Sequence, residues 1–454
     1  MSREAIEGTR PSFYRVAMVG EPSFVSPLGL SREDGESKPG YVVEGSRVLL
    51  RAELPPGGTI DEVAALDRAG PHERLFFDPG ATNAAILTAG GLCPGTNNVI
   101  RAAVHELIHK YGVRSVLGIR FGYAGLDPAS GAPEPMELGL EEVRNVHRFG
   151  GTMLGTSRGG RDPRVMVDTL VSRKIGLLLT IGGDGTMRGA HALAEEIRRR
   201  NEKIGVVGIP KTIDNDIPFV DSSFGFETAV AMARMAIEAA HTEALSVQNG
   251  IGLVKLMGRE AGFIAAYAAM ASHDVNVCLV PEVPFRLDGP TGLLSHLEQR
   301  LATRSHAVVV VAEGCGKKLL RSVQRSGEGV EVPRDASGNL RFASPELDIG
   351  EHLKIAIERH FAEREIPMTL KYIDPSYMVR GVPANAVDAV FGADLARHAV
   401  HAGMAGKTDM MIGRVHSCFV DVPLPLVHSE TKRIDPNGDL WLAVTSSTGQ
   451  PIFT

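Results

Sequence analysis

The chain has 454 residues, 43% of them hydrophobic, with one Trp, seven Tyr and a formal net charge of −6. That length predicts two or three domains, each able to bury a core. Few aromatics, an acidic balance and the lack of a long Lys/Arg run argue against nucleic-acid or anionic-membrane binding, and no apolar run approaches the ~20 residues of a membrane span. Cys93, Cys278, Cys315 and Cys418 are widely spaced with no CxxC pair, which reads as reduced thiols of a cytoplasmic protein. The first fifteen residues have no apolar core and carry Glu4 and Glu7, so they are not expected to act as a signal peptide.

Residues 1–80 are rich in Pro, Gly and charge and are expected to form an N-terminal extension around the main body. From about residue 82 short apolar runs alternate with helical patterns. Strands are predicted at "NAAILTA", "IGLLLTI", "IGVVGI", "IGLVKLM", "VNVCLVPE" and "HAVVVVAEG". Helices are predicted over 96–110, 186–200, 225–243, 260–271 and 291–302. This is the signature of βαβ units whose parallel sheets are buried on both faces. The polar stretch 316–342 is expected to be a surface loop or hairpin. Beyond it come a helix (350–364), the strand "MTLKYI", a long helix (384–404) and the strand "DMMIGRV". The expected fold class is α/β: two Rossmann-like parallel-sheet domains with a cleft between them, plus the extension.

Polar groups gather at the predicted strand ends, where ligands bind in open parallel sheets. In "LTAGGLCPGTNN" paired glycines lead into a helix, a layout that either holds phosphate oxygens on backbone amides or is simply a tight turn. "TIGGDGTMRGA" repeats it with Asp184 among Gly183, Gly185 and Thr186. Glycines let a nucleotide lie against the main chain, and a carboxylate there suits Mg²⁺. "GTSRGG" offers Arg158, a planar multi-donor cation, beside Gly159. "GIPKTIDND" crowds Lys211, Thr212, Ile213, Asp214 and Asp216 after a strand. "LMGREAG" supplies Met257, Gly258 and Arg259, and "AEGCG" supplies Glu313. "LKYIDPSYMVRG" supplies Lys371, Tyr377 and Arg380. The HExxH pattern at 105–109 is read as a decoy, because the apolar stripe of its helix places His105, Glu106 and His109 mostly on the solvated face.

In this order the motifs resemble the 6-phosphofructokinase family over roughly residues 82–420. "RFGYAGL", "NGIGLVKLMGR" and "YIDPSYMVRG" look most like its plant and trypanosome ATP-dependent branch. The resemblance implies phosphorylation of fructose 6-phosphate at its 1-hydroxyl by Mg-ATP, the committed step of glycolysis. It implies Asp214 as general base, with Thr212 and Arg259 assisting transfer, and Asp184 and Asp216 serving Mg²⁺. Gly91, Arg158, Gly159 and the loop 183–186 would hold ATP. Thr212–Asp214, Met257–Arg259, Glu313, Lys371, Tyr377 and Arg380 would hold the sugar phosphate. It implies a nucleotide-binding domain of 81–224 with 384–440, a sugar-phosphate domain of 225–383, a tail of 441–454, and a homodimer or homotetramer.

Gly250 stands where bacterial ATP-dependent members carry an arginine reaching a neighbouring subunit, and Tyr377 and Lys371 replace a histidine and an arginine. Donor choice in the family is read at positions 185 and 211. Gly185 resembles the ATP users and Lys211 the pyrophosphate users. We expect ATP, because Gly185 leaves room for the α-phosphate, whereas Lys211 is a flexible point charge able to meet either donor. The alternatives are a pyrophosphate-dependent phosphotransferase and a non-catalytic regulatory subunit of the same fold. GGDGT also occurs in NAD kinases and lipid kinases, which lack the other segments.

Overall fold

The computed structural model describes residues 14–31, 40–54, 56–59, 63–316, 348–428 and 431–453. Almost all of the loop predicted at 316–342 lies outside them. The chain divides into two compact units. Met1–Thr212, Ile217–Gly225 and Gly381–Thr431 form the first, and Ile213–Asp216, Phe226–Arg380 and Lys432–Thr454 the second.

The first unit is built on a nine-stranded sheet. Its order is Arg47–Leu49, Ala65–Arg68, Cys418–Pro423, Met410–Val415, Gly205–Pro210, Ile175–Gly182, Asn83–Thr88, Ser115–Ile119, Met136–Glu137. The five strands from Met410–Val415 to Ser115–Ile119 run parallel, and the flanking pairs are antiparallel. Numbered along the chain, the parallel strands lie in the order 2-1-3-4-5. The connections therefore diverge between Asn83–Thr88 and Ile175–Gly182, the switch point at which doubly wound sheets bind ligands. Strand Gly205–Pro210 is buried along its whole length, as the unbroken apolar run requires. Strands from the N-terminal 80 residues extend this sheet, so that segment joins the first unit. Strands Ser115–Ile119 and Cys418–Pro423 and helix Pro163–Ser172 were not foreseen in the sequence.

The second unit carries a four-stranded parallel sheet ordered Val277–Leu279, His306–Ala312, Gly250–Leu256, Thr369–Ile373. The chain leaves the neighbouring ends Leu256 and Ala312 in opposite directions along the sheet, which opens a second switch point. Helix Phe226–Leu245 sits close on this sheet because facing positions are small. A side chain added at Gly252 would lie 2.8 Å from the Ala240 carbonyl oxygen. Residues 441–454, read as a tail, belong to this unit and include most of helix Asp439–Thr448.

Helix Thr96–His105 continues as a wider π-helical stretch, Glu106–Tyr111. Glu106, expected on the solvated face, is buried there, 3.9 Å from His401 Nε2, and burial raises its pKa. The wider turn changes the register that a regular helical stripe assumes. Among the described residues no helix is long and apolar enough to cross a membrane. None of the four cysteines, all among the described residues, is in a disulfide; Cys93, Cys278 and Cys315 are buried and Cys418 is half-buried.

Candidate active site

In the first unit the loops after Thr88, Gly182 and Pro210 meet at the switch point. Gly182 has no room for a side chain, since a Cβ would fall 2.1 Å from Thr186 Oγ1. The chain turns tightly there into helix Asp184–Arg199, and a helix start of this kind can hold phosphate oxygens on its amides. Thr186 is buried, and its carbonyl accepts from the Tyr123 hydroxyl at 2.6 Å. The segment 156–159 is pinned to the same place. Thr156 Oγ1 donates to the Gly90 carbonyl at 2.7 Å and the Gly90 amide donates to Ser157 O at 3.0 Å. Gly159 takes φ +94°, a conformation that favours glycine, and Arg158 Nη2 lies 3.7 Å from where a Gly91 side chain would stand. Sequence motifs about 70 residues apart are thus joined by main-chain bonds.

Gly185 and Lys211 differ in freedom. A Cβ at Gly185 would meet nothing within 4 Å. Lys211 is buried, and its ammonium donates to the Gly91 carbonyl at 2.5 Å. Burial lowers its pKa, with Cys93 opposing and Arg158 adding to that effect. The flexible charge expected at this position is instead tethered to the glycine loop.

In the second unit the sheet ends are held by side-chain charge. The Glu313 amide donates to the Leu256 carbonyl at 2.8 Å and the Gly314 amide to the Gly258 carbonyl at 2.9 Å, which locks the two motif loops together. Gly258 has φ +126°, and a side chain at Gly314 would fall 1.9 Å from the Arg259 carbonyl oxygen. Arg259 Nε then reaches Glu313 Oε1 at 3.4 Å. Asp214 faces this pair. Burial pushes its pKa well above the usual carboxylate range, and Asp216 and Glu313 push the same way. Arg259 opposes them, partly through its main-chain amide. Burial likewise raises Glu313 against the pull of Arg259 and Lys255.

Two contacts at these sheet ends escaped the sequence reading. Lys432 donates its amide to the Asp216 carbonyl and its ammonium to Asn215 Oδ1, both at 2.9 Å, while Asn215 takes the left-handed conformation. Lys255, buried in strand Gly250–Leu256, reaches Asp374 Oδ2 at 2.8 Å and Asp348 Oδ2 at 2.5 Å. Nothing local in "GLVKLM" announces a lysine neutralising two distant aspartates. Lys371, Tyr377 and Arg380 all lie in this unit. The Lys371 ammonium is 3.6 Å from Glu243, whereas the Arg380 guanidinium lies over the exposed Tyr377 ring at 4.9 Å. Gly250 admits no side chain, for a Cβ would stand 2.1 Å from the Ala244 carbonyl oxygen.

Asp184 is half-exposed in the first helical turn. Its Oδ2 accepts from Arg188, and its Oδ1 lies 3.5 Å from His428 Nδ1. Among the described residues no group of three or more His, Cys, Asp or Glu is gathered to hold a metal.

The phosphofructokinase family model matches residues 83–403. An ATP-dependent 6-phosphofructokinase of Borreliella burgdorferi is 49% identical over 86% of this chain and 86% of its own. One of Amycolatopsis methanolica is 46% identical over 96% and 95%. ATP-dependent 6-phosphofructokinase 7 of Arabidopsis thaliana is 47% identical over 85% and 77%. Among solved structures, a pyrophosphate-dependent phosphofructokinase from Marinobacter aquaeolei superimposes with a TM-score of 0.65 at 20% identity. It covers 82% of this chain and 92% of its own, a likeness of fold.

Proposed function

The chain belongs to the phosphofructokinase family, and we infer that it is an ATP-dependent 6-phosphofructokinase acting in glycolysis. The observation that carries the chemistry is the buried Asp214 carboxyl facing Arg259 and Glu313. Phosphoryl transfer needs in-line positioning, neutralised oxygen charge and one base. We assign the base to Asp214. It takes the proton of the fructose 6-phosphate 1-hydroxyl as that oxygen bonds to the γ-phosphorus. The bond from the γ-phosphorus to the bridging oxygen breaks, ADP leaves, and fructose 1,6-bisphosphate remains. Arg259 meets the growing charge on the transferring group, and Thr212 helps place it. Glu313 accepts from sugar hydroxyls. Lys371, Tyr377 and Arg380 grip the 6-phosphate.

The first unit takes the nucleotide, through Gly91, Arg158, Gly159 and residues 183–186, and the second takes the sugar phosphate. Asp184 and Asp216 would hold Mg²⁺, which neutralises phosphate oxygens when bound. The open space at Gly185 supports ATP as donor, since an aspartate there would face the α-phosphate. Lys211 resembles the pyrophosphate users, but its ammonium is tethered to the Gly91 carbonyl, and we weigh Gly185 more heavily. We further assign the protein to the cytoplasm as a homodimer or homotetramer, which light scattering of the purified protein checks.

The test is kcat/KM for ATP and for pyrophosphate, side by side, with fructose 6-phosphate and Mg²⁺. A higher value for ATP is expected. A preference for pyrophosphate overturns the donor assignment, and ligand binding without turnover overturns the enzyme.

A further inference from the structure

We propose that His428 is a positioning residue for Asp184, fixing the carboxylate in the orientation in which it meets the metal of Mg-ATP. The proposal rests on the assignment of Asp184 to the metal. His428 follows the short helix Leu424–Val427, which packs against helix Asp184–Arg199. The two Asp184 oxygens have different partners. Oδ2 is met by Arg188, whose side chain is 61% exposed; Oδ1 faces His428, whose side chain is 17% exposed. An exposed guanidinium is easily replaced by water. A buried imidazole is not, so His428 holds the more rigid side of the carboxylate.

Both ring nitrogens of His428 are buried and without a hydrogen-bond partner among the described residues. An unmade hydrogen bond in that setting costs ~1–3 kcal/mol. The nearest acceptor described for it is Asp184 Oδ1, 3.5 Å from Nδ1, so a small ring movement makes the bond and fixes the carboxylate. The ring is also backed from below. His191 lies beside it, with ring centroids 5.9 Å apart, and is itself anchored through Nδ1 to Asp409 Oδ1 at 2.8 Å. Arg198 holds the other Asp409 oxygen at 3.1 Å. The imidazole thus stands beside a braced ring, and among the described residues the acidic oxygen placed against it is Asp184 Oδ1. Partners behind a ligating carboxylate commonly set metal affinity in this way, and their loss costs about 10–100-fold.

The experiment is a Mn²⁺ titration of the protein–ADP complex, read by electron paramagnetic resonance, with steady-state kinetics alongside. His428→Leu is expected to weaken Mn²⁺ about 10–100-fold and to raise the Mg²⁺ needed for half-maximal rate, with the KM for fructose 6-phosphate unchanged. His428→Asn places an amide nitrogen where Nδ1 stands and should stay close to wild type. His428→Gln places it at Nε2 and should be weakened. If the Leu variant does not fold, the Asn–Gln pair decides, and equal affinities in that pair overturn the proposal. Asp184→Asn separates the two readings. If it leaves Mn²⁺ binding intact, the metal assignment fails. If it weakens binding while His428→Leu does not, the positioning role alone fails.

Discussion

The two units build their sheet ends from opposite materials. In the first, glycines bring main chain together: Gly182 against Thr186, Gly91 against Lys211 and Arg158, Gly90 bonded to the segment 156–157. In the second, charged side chains crowd: Asp214, Asp216, Glu313 and Arg259, with Lys255 between Asp348 and Asp374. A nucleotide that does not react along most of its length is held well by amides, which keep their dipoles at any pH. A hydroxyl that must lose a proton needs a group whose charge can change. The contrast supports the proposal that the first unit holds the nucleotide and the second carries the proton transfer.

The sharpest way to break the contrast is Asp214→Asn, which keeps the shape and removes the proton acceptor. Loss of a general base typically costs ~10²–10⁴-fold, and the fall should appear in kcat with folding intact. Near-full kcat would move the base elsewhere.

Acid should separate the units next. In the first unit His72 and His401 are lowered to about 3 and His398 to about 4, all chiefly by burial. Lys407 faces His72, Arg397 and Arg68 face His398, and His398, His72 and Arg397 face His401, which also bonds Tyr111. The folded state keeps these rings neutral, whereas the unfolded chain protonates them near their ordinary value. Stability is therefore lost as pH falls from about 6.5 toward 3–4, and one such ring accounts for about 3–5 kcal/mol over that range. Glu313 in the second unit has the opposite sign, because its raised pKa favours the folded state at low pH. Hydrogen exchange at falling pH should open first-unit peptides around 72 and 395–404 before those around 313. The reverse order would contradict the reading.

Gly185→Asp sharpens the holding side. The open space predicts an unchanged melting temperature, so the loss is one of donor binding. Like-charge repulsion of about 3 kcal/mol, for charges ~5 Å apart in an effective dielectric of ~20, lowers kcat/KM for ATP about 100-fold. An unfolded variant, or one with full ATP activity, would refute it. The smallest effect is expected from Arg380→Ala. Losing an exposed charge-assisted bond of ~1.5 kcal/mol raises the KM for fructose 6-phosphate about tenfold and leaves that for ATP in place. A shift in the ATP value instead would put Arg380 with the nucleotide.

The sequence alone determined the α/β alternation and the strand ends that carry the chemistry, because buried parallel strands need unbroken apolar runs and ligand loops need glycines and charge. It was also enough to bring out the family likeness. Tertiary structure decided the rest. The strand order placed one switch point between Thr88 and Gly182, since pairing between strands about 90 residues apart leaves no local signature. Packing turned Glu106 inward through a π-helical stretch and closed Gly250 against Ala244. Burial tied Lys211 to Gly91, and placed Lys255 between two aspartates that lie 93 residues and more away along the chain. A lysine's charge is plain in any sequence. Which acceptor it meets depends on what the fold leaves within its reach once water is excluded.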